Sequence, residues 1–166
     1  MTQYGSDTFE LTDVPQYFSY VGLYEEYRID KVVYSWKCLN NVATATPGLG
    51  TSYVQTLGMV HSRVDNNDSV VPTTIQSILN DNTYKGTLSS RNHTRTIIPK
   101  FLSNVGGGVA AQQKTGWLNT DNANISHYGL KWAFEGGVFN GGAVNSQISF
   151  IVEPIVTYYV SFKNPK

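Results

Sequence analysis

The three histidines are the side chains of this chain best suited to metal binding or acid–base chemistry. They are His61, His93 and His127, and they lie far apart in the sequence, in no metal-ligand spacing. A pair of histidines one residue apart with a nearby acidic residue would indicate a metal enzyme, but the sequence contains no such group. We therefore predict no metal site and interpret the histidines as strand-face or loop residues with local hydrogen bonds.

The other residue types that could carry catalysis have no productive arrangement. Glu25 and Glu26 are adjacent, so their side chains point apart in a helix or a strand. The serines, histidines and aspartates include no G-x-S-x-G elbow, and the glycines at 106–108 are not followed by the Lys-Ser/Thr of a phosphate-binding loop. We predict no catalytic residue and no cofactor.

Tryptophan and basic residues give a weak nucleic-acid signal. Trp36 and Trp132 lie in strand-like segments and are predicted to be core residues, whereas Trp117 follows Gly116 beside a loop. Residues 85–131 are rich in basic side chains and contain a single acidic one, Asp121. Candidate contacts are Arg91, Arg95, Lys100, Lys114 and Trp117. Solvated surface charge is the alternative interpretation of the basic residues.

The composition restricts the classes of protein that fit. A chain of 166 residues suits one domain, and a net charge of zero argues against a free-standing nucleic-acid binder. Only 14% of the residues are charged and 13% are aromatic, so much of the surface is expected to contact protein. Cys38 is the only cysteine, which excludes an intrachain disulfide and suits a reducing compartment. The sequence shows no membrane span or signal peptide, so we expect no membrane partner.

The elements that must position these residues are predicted to be strands. Alternating or β-branched segments predict strands near Phe9 and at 27–39, 53–64, 84–88, 94–98, 116–119, 127–134 and 147–162. In the strand at 27–39 the apolar residues fall on both parities, which predicts partial burial of both faces. Residues 72–79 predict the one short helix, with Thr73 and Gln76 in capping-box spacing. Short strands without alternating helices indicate an all-β sandwich or barrel.

The order of several short motifs resembles the capsid proteins of circoviruses and related small circular single-stranded DNA viruses. Residues 24–32 (Y-E-E-Y-R-I-D-K-V) are similar to the family's Y-R-I-x-K-V strand, and residues 9–17 to its F-x-L-x-D-x-P-x-Y segment. Residues 94–100, ending in Pro-Lys, resemble the motif before a long loop. The matching segments that complete the series are 117–118, 127–130, 133–135 and 158–163.

The resemblance implies a single domain over residues 1–166, folded as an antiparallel eight-stranded jelly roll. Its function would be self-assembly into a T=1 icosahedral shell around circular single-stranded DNA, in the virion and, during assembly, in the host nucleus. The family's Arg-rich arm is not found before Phe9, and its first strand is expected to be truncated or absent. DNA packaging and nuclear import would depend mostly on that arm, and the strand at 147–162 would have an open edge without its first-strand partner.

Subunit contacts are predicted in the long loops, at residues 40–50, 103–114 and 136–145, because loops on a rigid sandwich carry interaction surfaces. The partners implied are other copies of the chain, the DNA genome and a host receptor that the sequence does not identify. A sandwich-type carbohydrate-binding module, with surface Trp and Tyr as its platform, is the alternative function.

Overall fold

The computed structural model describes residues 2–38, 54–56, 58–88, 90–103, 112–141, 144–148 and 152–166. Antiparallel strands dominate, as the sequence predicts. In chain order they are β1 (Thr2–Phe9), β2 (Tyr24–Cys38), β3 (Val54–Thr56), β4 (Met59–Arg63), β5 (Lys85–Leu88), β6 (His93–Ile97), β7 (Lys100–Ser103), β8 (Gln112–Lys114), β9 (Leu118–Asn119), β10 (His127–Glu135), β11 (Gly137–Gly141), β12 (Val144–Ile148) and β13 (Val152–Pro165). The helices are α1 (Tyr17–Leu23) and α2 (Gln76–Leu79), with 3-10 turns at Leu11–Asp13 and Thr120–Asn122.

The first sheet is built around β10. β1 pairs with β10 along its whole length, from Thr2 opposite Glu135 to Phe9 opposite His127. A full strand therefore ends at Phe9, although only a truncated or absent strand was expected before this residue, and it pairs with β10 rather than with β13. The other side of β10 is shared by β4 and β7, which pair with successive parts of it and extend to β5 and β8. We call this the β10 sheet.

The second sheet is built around β2, the longest strand described. It has the order β13–β2–β6, and β9 pairs with the start of β2. We call this the β2 sheet. Within the described residues β13 pairs only with β2, so its other side is an edge of the sheet. Pro154 has no backbone N–H to donate, and an edge strand tolerates this loss. Residues 144–148, partly included in the predicted last strand, belong instead to β12 of a small third sheet with β11 and β3.

An irregularity in β2 explains its mixed sequence pattern. The register with β13 shifts between Tyr159 and Val160, so that Lys31 faces Tyr159 while Ile29 faces Val160. The extra residue, Asp30, reverses the parity, because a β-bulge inserts one residue into one strand of a pair. The apolar residues on both sides of it therefore face the same interior. Residues of the outer face, among them Arg28, Lys31 and Val33, are half-buried, which agrees with the prediction that both faces of this strand are partly buried.

The core lies between the β10 and β2 sheets. The side chains buried in it from both sheets are Phe9, Leu11, Tyr27, Ile29, Val32, Tyr34, Trp36, Val60, Ile97 and Leu130. Phe9 meets Tyr34 and Tyr158 edge to face, with ring centroids 6.4 and 6.1 Å apart. Trp36 meets Trp132 at 6.3 Å. Four of these ten core residues are aromatic, and each buries more apolar area than an aliphatic side chain does.

The helices differ from the prediction of one short helix. α1 follows Gln16, which has a left-handed φ of 60°, and the sequence pattern predicts no helix at these residues. α2 spans only one turn, and no side-chain cap is found at its N-cap, Ile75. Ser77 Oγ donates instead to the carbonyl of Thr74 at 2.7 Å, so the predicted capping box of Thr73 and Gln76 is wrong.

The loops predicted to make subunit contacts are only partly described. Residues 40–50 lie outside the described residues, as do 104–111 of the second loop and 142–143 of the third. Most of the described part of 136–145 is β-strand rather than loop, because β11 and β12 pair from Gly137 opposite Ile148 to Gly141 opposite Val144. In the described part of the chain no helix is long and apolar enough to cross a membrane.

Candidate functional site

The three histidines are buried and hydrogen-bonded within the chain. His93 is fully buried in β6, with Nε2 2.7 Å from Ser62 Oγ and Nδ1 2.8 Å from Thr87 Oγ1. Burial, reinforced by nearby Lys85 and Arg95, lowers the pKa of His93 to about 4. In a catalytic triad a carboxylate would contact the second ring nitrogen of the histidine, but here the Thr87 hydroxyl does so. Ser62 and His93 are also buried, out of reach of a substrate.

The other two histidines are also occupied. His61 lies between the Tyr84 hydroxyl, 3.1 Å from Nδ1, and the Glu135 carboxylate, 3.2 Å from Nε2. Nδ1 of His127 is 2.9 Å from the carbonyl oxygen of Ile125, and burial lowers the pKa of His127. No cluster of metal-binding side chains occurs among the described residues.

The predicted nucleic-acid residues are distributed over several elements. Lys100 is in β7 and Lys114 in the neighbouring edge strand β8, where Lys114 lies opposite Phe101. Lys100 immediately precedes Phe101, so the two lysines lie on adjacent strands but point to opposite faces of the β10 sheet. Arg95 is in β6 of the β2 sheet, where its guanidinium donates to the Thr83 carbonyl at 2.7 Å. Arg91 lies in the turn before β6, where its backbone N–H donates to the Leu88 carbonyl at 3.0 Å.

Trp117 is half-buried and contacts two cations that sequence reasoning missed. Arg28 Cζ lies 4.8 Å from its ring centroid and Lys163 Nζ 4.7 Å from it. Both cations also have carboxylate partners, because Arg28 Nε is 2.6 Å from Asp30 and Lys163 Nζ is 2.7 Å from Glu26. Arg28 and Lys163 alternate with inward-facing residues of β2 and β13, so both cations lie on the outer face. The sequence carries no signal that pairs them with Trp117.

The described surface also carries large exposed apolar side chains. In α1, Phe18 is 67% exposed and Leu23 60% exposed. In the segment before α2, Val70 is 68% exposed and Val71 48% exposed. Exposed apolar residues that form a contiguous patch mark contact surfaces on proteins. α1 and the segment before α2 are therefore the candidate protein-contact surfaces among the described residues.

The comparison with known families identifies the chain. It matches the circovirus capsid protein family over residues 1–166. The chain belongs to this family. The predicted resemblance is therefore confirmed, and the protein is a capsid protein, a structural component of the virion. No curated protein sequence matches the chain.

Solved viral capsid proteins share the fold. The chain is similar to the BFDV capsid protein solved as a 60-mer, with a TM-score of 0.61, 18% identity and coverage of 99% of this chain and 85% of that one. The decameric BFDV capsid protein gives a TM-score of 0.59 and 21% identity, over 98% and 85% of the two chains. The Red Clover Necrotic Mosaic Virus structure gives 0.53 and 15%, over 100% and 51%. The predicted antiparallel jelly-roll class is confirmed.

The family match decides between the two predicted functions. It supports a self-assembling capsid protein rather than a carbohydrate-binding module. The tryptophans agree with this result, since Trp36 is buried, Trp132 packs against Trp36 and Phe134, and Trp117 is covered by cations. These rings are occupied by contacts within the chain, whereas a sugar platform requires open aromatic faces.

Proposed function

We propose that this capsid protein assembles into a T=1 icosahedral shell that encloses circular single-stranded DNA. The observation that carries the proposal is the family match over residues 1–166. The BFDV capsid protein, which has the same fold, is described as a 60-mer, and sixty copies are the number in the smallest icosahedral shell. The rigid aromatic core suits such a role, because a shell subunit must present its contacts without rearranging.

The genome-contact surface is part of the same proposal. Lys100 and Lys114 supply positive charge on the adjacent strands β7 and β8 at one end of the β10 sheet, one on each face, where they would neutralise phosphates of the enclosed DNA. Arg91, Arg95 and Trp117 stay in the proposed set, with Arg95 contributing charge while its guanidinium donates to Thr83. In this family an Arg-rich arm would supply most of the affinity, so the domain contacts would add to it.

The proposal assigns no catalytic role to the chain and places its assembly in the host nucleus. It also treats residues 1–166 as a single domain. The two large sheets support this, because they share one core to which both ends of the described chain contribute, through β1 and β13.

The test is assembly of the purified protein. Size-exclusion chromatography and electron microscopy over a range of salt and pH should show closed particles of sixty copies. Particles formed with circular single-stranded DNA should protect it from nuclease, and Lys100→Gln with Lys114→Gln should reduce the protected amount more than Lys37→Gln, an exposed lysine of β2. Monomers under all conditions would refute assembly, whereas empty particles would refute only the genome contact.

A further inference from the structure

The segment between β4 and α2 is held to the β10 sheet by a buried ion network. Lys131 of β10 is 3% exposed, and its ammonium lies 2.9 Å from Asp65 and 2.5 Å from Asp68. Arg63, at the end of β4, lies 2.7 Å from Asp65 and donates to the Ser77 carbonyl at 2.8 Å. A buried cation is costly unless it is paired, so the two carboxylates are held firmly in place.

Backbone hydrogen bonds fix the rest of this segment. The N–H of Asn67 donates to Asp65 at 2.9 Å, and the N–H of Val70 donates to Asp68 at 2.8 Å. The bond from Lys131 also lowers the pKa of Asp68, so this carboxylate stays charged at neutral pH. Pro72 is buried and restricts Val71 to extended backbone. The segment 65–72 is therefore ordered by the domain itself, before any partner binds.

What this ordered segment presents to solvent is apolar. Val70 and Val71, which we call the valine tip, are among the most exposed apolar residues of the described chain, and β-branched side chains lose little rotamer freedom when they are buried. An isolated exposed valine needs no explanation. Two adjacent ones expose apolar surface on different sides of the tip, because neighbouring side chains of an extended backbone point apart. They lie on a segment that the buried Lys131 already holds in place, so the ordering cost of burying them against a partner is small.

We propose that the valine tip is a contact between copies of this capsid protein in the assembled shell. The inference rests on the proposed assembly, since the chain belongs to a capsid protein family and a second copy is the partner that a shell supplies. The second exposed apolar surface lies on α1, and this helix packs against β2. The valine tip is anchored to the β10 sheet instead, so the two surfaces belong to different parts of the fold. Patches on different elements suit the unlike, head-to-tail contacts that close rings.

The test replaces the tip without changing its shape. Val70→Thr with Val71→Thr keeps the β-branched outline and adds hydroxyl groups that lose hydration on burial. We expect the protein concentration for half-assembly to rise about tenfold, which corresponds to about 1.4 kcal/mol. The matched control is Ile98→Thr, a β-branched residue 60% exposed between β6 and β7, for which we expect less than about a twofold change.

A second variant tests the base of the segment rather than its tip. Asp68→Ala removes one carboxylate from Lys131 and the acceptor for the Val70 N–H, while leaving both valines in place. Assembly should weaken although the apolar contact atoms are unchanged, and thermal unfolding of the unassembled protein will show whether the domain still folds. Hydrogen exchange of wild-type particles gives a measurement without variants, with protection of 65–72 expected on assembly.

The outcomes separate this inference from the proposed function. Wild-type protein that forms no particles would overturn both. Wild-type particles together with unchanged half-assembly of the threonine variant, or without added protection of 65–72, would overturn the valine-tip contact alone.

Discussion

The indole Nε1 of Trp132 donates a hydrogen bond to the carboxylate of Asp7 over 2.8 Å. Asp7 lies in β1 and Trp132 in β10, so this bond crosses a strand pair of the β10 sheet. The Asp7 carboxylate also accepts from the hydroxyl of Tyr34, which belongs to β2. One carboxylate therefore joins the two sheets of the sandwich, and burial raises its pKa although both hydrogen bonds oppose the rise.

The raised pKa of Asp7 predicts an effect of Asp7→Asn that depends on pH. A raised carboxyl pKa means that the folded state favours the protonated form, so this stabilisation is present at low pH and lost as pH rises through the folded pKa. Asn resembles the protonated carboxyl, so Asp7→Asn should be at least as stable as wild type at pH 7. Near pH 4 wild-type Asp7 is itself more protonated, so the difference in unfolding free energy between the variant and wild type should be smaller. Urea unfolding at both pH values measures this. Asp121→Asn, at an exposed carboxylate, is the control, and a large loss of stability of Asp7→Asn at pH 7 would contradict the prediction.

His93 predicts acid sensitivity of the domain. Its pKa is lowered to about 4, so the folded state favours neutral imidazole between Ser62 and Thr87. The resulting stabilisation is present above pH 6.5 and is lost as pH falls towards 4. Over that range wild type should lose about 3 kcal/mol more unfolding free energy than His93→Gln. Parallel stability curves for the two proteins would show that His93 does not contribute to the acid sensitivity.

The positions of the main strands could be predicted from the sequence, but which of their residues point into the core could not. Segments rich in β-branched and aromatic residues predicted β2 and β10 almost to their ends, because local propensity and burial agree there. The inward and outward sets of β2 were not predictable, since they depend on a bulge at Asp30 that exists only through pairing with β13. The residue pattern alone left the fold open between a sandwich and a barrel. The family resemblance supplied both the jelly-roll fold and the assembly function.

The contacts of the candidate site were less predictable than the fold. Trp117 was correctly separated from the core tryptophans, because a glycine and a loop precede it. Its cationic partners Arg28 and Lys163 are far from it in sequence and meet it only through the β2–β9 and β2–β13 pairings. The buried position of Lys131 was equally hidden, because a lysine among apolar residues of a strand looks solvent-exposed until its carboxylate partners are known.

The cations at Trp117 predict a measurable coupling energy. A double-mutant cycle of Trp117→Leu with Lys163→Met should give about 0.5–1 kcal/mol, the size of a partly exposed cation–π contact. The cycle removes the separate contribution of the Lys163–Glu26 ion pair. Trp117→Leu with Lys37→Met is the control pair, since Lys37 is an exposed lysine near the end of β2 that lies away from β9, and its coupling should be close to zero. Equal coupling in the two cycles would argue against a specific contact.

Gly5 and Gly22 predict opposite effects of the same substitution. Gly5 of β1 lies opposite Trp132, and a Cβ there would meet the Cε2 and Cζ2 atoms of the indole as well as Cη2 at 2.8 Å. Gly5→Ala should displace the ring, break its hydrogen bond to Asp7 and cost about 1–3 kcal/mol.

Gly22 is the control because a Cβ added there would meet nothing within 4 Å. It lies inside α1, where alanine is favoured over glycine by about 0.5–1 kcal/mol, so Gly22→Ala should raise the unfolding midpoint. Urea unfolding followed by tryptophan fluorescence compares the two variants directly. If Gly5→Ala unfolds no earlier than wild type, the indole can move without loss, and its bond to Asp7 does not help to hold β1 on β10.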